Sequence, residues 1–200
     1  HYRISLVDGS RKLLKESVVM SGEISPSGKY YTYFNDKQEQ HYVVDIDANT
    51  GTCLTCGAKD VNWQADGNGT PHVDYPLGII GWDRDEEKMF VQSEFDVWQF
   101  DLKTKALSSI TNKEGKENKI EFRTRKWDFD SVYINPETIY LQGTDMISKD
   151  EMIYEYLAVN FSQVSELICY ISEFSDKSVN KDRYKITEQS EEAIASFKRA

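Results

Sequence analysis

The 200-residue chain is long enough for one large domain. Its 34 acidic residues against 24 basic ones leave a formal net charge of -10, which repels a polyphosphate backbone and an anionic bilayer surface, so neither nucleic acid nor membrane insertion is expected. No apolar run in the chain approaches the roughly 20 residues that a membrane-spanning helix needs.

The chain opens on His1 with no charged stretch leading into an apolar one, and it reads as a segment excised from a longer protein. "SPSGKYYTYF" at Ser25 to Phe34 is a Pro-Ser-Gly turn running into a strand, Tyr30 to Phe34. The polar loop "NDKQEQ" returns the chain to a second strand, His41 to Ile46, which makes an antiparallel hairpin. "DANTG" at Asp47 to Gly51 is the next turn, and "TCLTC" is a short third strand. A second copy of this order begins at "LGIIGW", Leu77 to Trp82. There "DRDEE" takes the place of the Pro-Ser-Gly turn, "KMFVQ" that of "KYYTYF", and "DVWQFDL" at Asp96 to Leu102 that of "HYVVDI". Asp45 and Asp101 hold the same place, a spacing of 56 residues, and the polar loop "GAKDVNWQADGNGTPHVDYP" accounts for the excess over a repeat of roughly 40–50. A third, looser copy follows in "IEFRTRKWDF" at Ile120 to Phe129, "NPETIYLQGT", and "EMIYEYLAV" at Glu151 to Val159.

Short antiparallel units that cannot bury an apolar face alone are stabilised by stacking on one another. The expected class is therefore all-β, a partial β-propeller of about three to four blades. The whole span, 1–200, is read as one propeller segment, with repeats at approximately 21–57, 77–112 and 119–160 and the remainder a further partial blade. A single-core sandwich with similar hairpins is the competing architecture.

"ISPSGKYYTYF" resembles the strand openings of TolB-like and peptidase propellers. Thr70 to Leu102, with its Gly-x-x-Gly-Trp strand at Gly78 to Trp82, resembles more specifically the N-terminal propeller of prolyl oligopeptidase family serine peptidases, the acylaminoacyl-peptidase-like branch. Leu77 stands where that family has a tyrosine. The resemblance covers roughly Ser21 to Leu157. It implies a non-catalytic lid or filter that admits short peptides to an α/β-hydrolase domain of the same parent chain, with that catalytic domain expected beyond Ala200. No Gly-x-Ser-x-Gly elbow occurs in these residues, and His1, His41 and His72 have no visible catalytic partners. The parent is thus expected to be a serine peptidase and this segment not an enzyme. The resemblance points to a bacterial, exported or periplasmic protein, with the cytoplasm as the other location. A TolB-like protein-binding propeller without an enzyme partner is the alternative function.

No catalytic, cofactor-binding or metal-binding residue is assigned. Cys53-x-x-Cys56 has the spacing of half a zinc site or of a redox pair, but positions i and i+3 of an extended strand face opposite sides, so idle or buried thiols are expected. Asp66, Asn68, Thr70 and Asp74 are spaced like the oxygens of a calcium loop, yet the closing glutamate and flanking helices are missing, and a solvated loop is expected. Most aromatics fall at strand positions and belong to packing, whereas Trp63 sits in the polar loop as a candidate surface contact. Asn68 and Asn160 fit a glycosylation sequon without consequence in a bacterial chain, and "SEEAIASFKRA" at Ser190 to Ala200 reads as the start of another strand. Unpaired strand edges at the ends of such a segment are expected to drive self-association.

Overall fold

A computed structural model of the chain describes residues 1–16, 22–65, 74–125, 130–157 and 167–170. It is all-β apart from one short helix, and its strands form successive antiparallel sheets. A hairpin of β1 (Tyr2–Ile4) and β2 (Arg11–Leu13) comes first. The first four-stranded sheet runs in chain order through β3 (Glu23–Ile24), β4 (Tyr30–Asn35), β5 (Gln40–Asp45) and β6 (Thr50–Cys53). A small pair, β7 (Gln64–Ala65) and β8 (Tyr75–Pro76), lies on the connection to the second sheet. That sheet contains β9 (Ile79–Trp82), β10 (Lys88–Gln92), β11 (Val97–Asp101) and β12 (Leu107–Ser109). After helix α1 (Glu114–Asn118) the third sheet is built from β13 (Ile120–Arg125), β14 (Thr138–Asp145), β15 (Glu151–Leu157) and β16 (Leu167–Tyr170).

The turns show why the first two sheets are alike. Ser25 and Asp83 open equivalent turns: the Ser25 N–H donates to the Tyr30 carbonyl and the Asp83 N–H to that of Lys88. Their side chains accept from the N–H groups of Tyr30 and Lys88 in turn. Gly28 (φ 77°) and Glu86 (φ 51°) occupy the same left-handed position, which glycine enters freely and glutamate only at a cost. At the other turn on this end, Asp45 caps the N–H groups of Asp47 and Ala48 as Asp101 caps those of Lys103 and Thr104. The first pair of turns is 58 residues apart and the second 56, because β10 and β11 are each one residue shorter than β4 and β5 while the loops between them are equal. Lys29 consequently matches Glu87, since the Ile46 and Leu102 N–H groups bond their carbonyls, and the two lysines paired by sequence do not coincide.

Packing explains the apolar runs. In β4, Tyr31 and Tyr33 join Leu14, Val44 and Ile46 on the side of the β1–β2 hairpin. Tyr30 and Val43, from the opposite face, join Leu54, Trp82, Met89 and Phe100 on the side of the second sheet. The second sheet repeats this division: Phe90 and Val97 pack with Phe122, Ile139, Leu141 and Tyr154 of the third sheet. Each inner sheet is thus covered on both faces, and no residue of "YYTYF" or "MFV" is exposed for that reason. Each such side chain contributes about 1.5–3 kcal/mol by leaving water.

The sequence anticipated β4, β5, β6, β9, β10, β11, β12, β13, β14 and β15 but not β1, β2, β3, β7, β8, β16 or the helix. The missed strands are mostly two or three residues long, too short for a periodicity signal. The helix was illegible because its capping acceptor is remote: Asp96 takes the N–H groups of Gly115 and Lys116 and the hydroxyl of Thr111. The third sheet draws its fourth strand from beyond residue 160. The calcium-like positions 66, 68 and 70, His72, the sequon at Asn160 and the 190–200 tail lie outside the described residues.

Candidate functional site

At the end of the first sheet opposite its Ser25 turn, a cleft of about 260 Å³ opens between β3, β4, β5 and the stretch leading into β9. Glu23, Thr32, Phe34 and His41 form one wall, and Leu77 and Ile79 the other. Gly22 permits the close passage of β3, because a Cβ there would sit 2.1 Å from the Thr32 carbonyl oxygen. The Thr32 hydroxyl donates to the Glu23 carbonyl at 3.3 Å. Glu23 is exposed as a residue, but partial desolvation of its carboxyl pushes its pKa up.

His41 is the chemically distinctive member. Its ring is 4.7 Å from that of Phe34 and meets Trp63 edge-on at 6.3 Å. Burial pulls its pKa from 6.5 down to about 4, so the ring is neutral at pH 7. Its Nε2, like the Trp63 Nε1, is buried without a hydrogen-bond partner. Buried polar atoms without partners are uncommon and costly. The cleft lining thus brings together a neutral imidazole, a hydroxyl and a partly desolvated carboxylate. One way to activate a nucleophile is an adjacent base, and among the described residues no serine, threonine or cysteine side chain bonds a histidine ring. Nor do three metal-ligating side chains converge among those residues, and no helix of the described residues is long and apolar enough to cross a membrane.

Three residues singled out from sequence change character. Trp63 is only 2% exposed, packed with Phe34, Val91 and Trp98, so it is an anchor of the core rather than a surface contact. The polar neighbours in its loop concealed this. Cys53 and Cys56 are joined in a disulfide with Cα atoms 5.7 Å apart, which overturns the expectation of idle thiols. The alternation argument failed because β6 ends at Cys53 and the chain bends through Leu54 and Thr55 instead of continuing extended. Asp74 is exposed, and its carbonyl accepts from the Gln64 amide.

Polar side chains tie the sheets together at their ends. The Glu86 carboxylate, buried, accepts from the Ser25 and Ser27 hydroxyls and from the Ser27 N–H. At the opposite end Gln92 donates to the carbonyls of Ser93, Asp96 and Phe122, and Arg123 to that of Glu94. No protein-family model, curated protein or solved structure matches this chain.

Proposed function

We propose that these residues are a non-catalytic part of a β-propeller, serving as a lid or substrate filter for the α/β-hydrolase domain of a prolyl oligopeptidase family serine peptidase that cleaves short peptides. The observation that carries the reading is the turn-level repeat: Ser25 and Asp83, then Asp45 and Asp101, set the same bonds in consecutive four-stranded meanders that pack face against face. That is the way propeller blades are assembled. The resemblance of Gly78 to Trp82 and its surroundings supplies the peptidase. Outward-facing Tyr2, Ile4 and Leu13 on the first hairpin support pairing or packing with further strands, from the parent chain or from another copy.

The 200-residue chain incubated with a serine-reactive phosphonate and short peptides should show neither labelling nor turnover, whereas the full-length product of the reading frame should show both. Labelled serine within residues 1–200 overturns the non-catalytic assignment. A full-length product without a reactive serine favours the TolB-like binding module, a reading to which the His41 cleft would supply the ligand site.

A further inference from the structure

Beside the disulfide lies a hollow of about 510 Å³ whose wall includes Cys53, Trp98 and Leu107 together with Lys59, Lys105 and Lys113, and no acidic residue. On a chain of net charge -10 this is a local reversal of sign. All three lysines are exposed. Cys56 is exposed too, and Cys53 half-buried. The Cys56 N–H donates to the Cys53 sulfur at 3.1 Å, and the Tyr42 hydroxyl lies 3.9 Å from the Cys56 sulfur. An accessible sulfur to attack, and a second sulfur placed to carry negative charge, are the two requirements of thiol–disulfide exchange.

We infer that Cys53 and Cys56 are an exchangeable redox couple whose reaction partners are small anionic thiols and their disulfides. A thiolate attacks the exposed Cys56 sulfur; the Cys53–Cys56 bond breaks and its electron pair stays on Cys53, held by the Cys56 N–H and by the lysine field until a solvent proton arrives. A second thiolate then attacks the mixed disulfide and releases the Cys56 thiolate. Two small thiols become one disulfide, and the protein gains two electrons and two protons. The lysines set the partner class, because fields of this kind act within about 8–10 Å at ordinary ionic strength. The chain's overall charge acting alone would favour cationic thiols instead.

The test uses the full chain carrying Cys169→Ser, so that only the couple titrates. Reduction is timed with mercaptoethanesulfonate, 2-mercaptoethanol and cysteamine, each rate normalised to thiolate and to its rate on the free Cys-Leu-Thr-Cys disulfide peptide. The expected order is anionic, neutral, cationic, spanning about 3–10-fold at low salt and collapsing near 1 M salt. Lys59→Gln, Lys105→Asn and Lys113→Asn together should abolish the order; asparagine suits the φ values of 61° and 66° at the latter two positions. Equal normalised rates, a cationic preference, or two free thiols after equilibration with oxidised thiol would overturn the inference. The salt series on the unsubstituted lysines decides the matter even if the triple variant does not fold.

Discussion

The two junctions between consecutive sheets bury similar side chains but are locked by different kinds of hydrogen bond. Between the first and second sheets the lock is the Glu86 side chain, reaching from one turn into the Ser25–Ser27 turn of its neighbour. Between the second and third, main-chain bonds cross directly: the Phe122 N–H donates to the Phe95 carbonyl at 2.8 Å and the Ile134 N–H to the Trp82 carbonyl at 2.7 Å. Side-chain bonds from Gln92 and Arg123 reinforce the former. Apolar burial makes both junctions stable without choosing an orientation, since it is non-directional. Hydrogen bonds choose it, and among the described residues Glu86, held at an unfavourable φ, makes that choice at the first junction.

The largest effects should be equal at the two junctions. Trp63→Ala on the first and Phe122→Ala on the second each remove a fully buried ring and should cost about 3–5 kcal/mol in urea unfolding. Two separate transitions, or a lowered urea m-value in either variant, would mean that the sheets unfold separately. Next comes pH. The folded pKa of His41 is depressed, so the unfolded chain binds the extra proton: stability is complete above about 6.5 and falls as pH drops towards about 4. The loss should reach about 3 kcal/mol over that window, and the contribution of His41→Leu should be flat across it; an unchanged slope would remove His41 as the cause.

Smaller, and unequal by design, are the polar locks. Glu86→Ala should cost about 2–3 kcal/mol, because Ser25 and Ser27 lose a charged acceptor inside the junction. Glu86→Gly should recover about 1 kcal/mol of that by relieving the left-handed backbone. Arg123→Met should cost only about 1 kcal/mol, since the main-chain bond from Phe122 to Phe95 survives it. Equal losses for Glu86→Ala and Arg123→Met would erase the distinction between the junctions. The smallest change is expected where the first hairpin meets the first sheet: the ion pair of Arg3 and Asp47, 2.8 Å long and exposed, should be worth under about 1 kcal/mol in a double-mutant cycle.

Local sequence was enough for the strand-rich class, the longer strands and the repeated order of turns. These are local properties: alternation, β-branched and aromatic content, and turn formers such as Pro26, Gly28 and Asp45 act within a few residues. The tertiary structure alone decided that Trp63 faces inward, that Cys53 meets Cys56 around a bend, that Asp96 caps a helix 19 residues away, and that Glu86 grips a turn some 60 residues earlier. The cleft at His41 was likewise illegible, since its walls come from separate stretches of chain that only packing brings together. Those outcomes depend on partners remote in sequence, and a chain read residue by residue carries no direct signal of the distances between them.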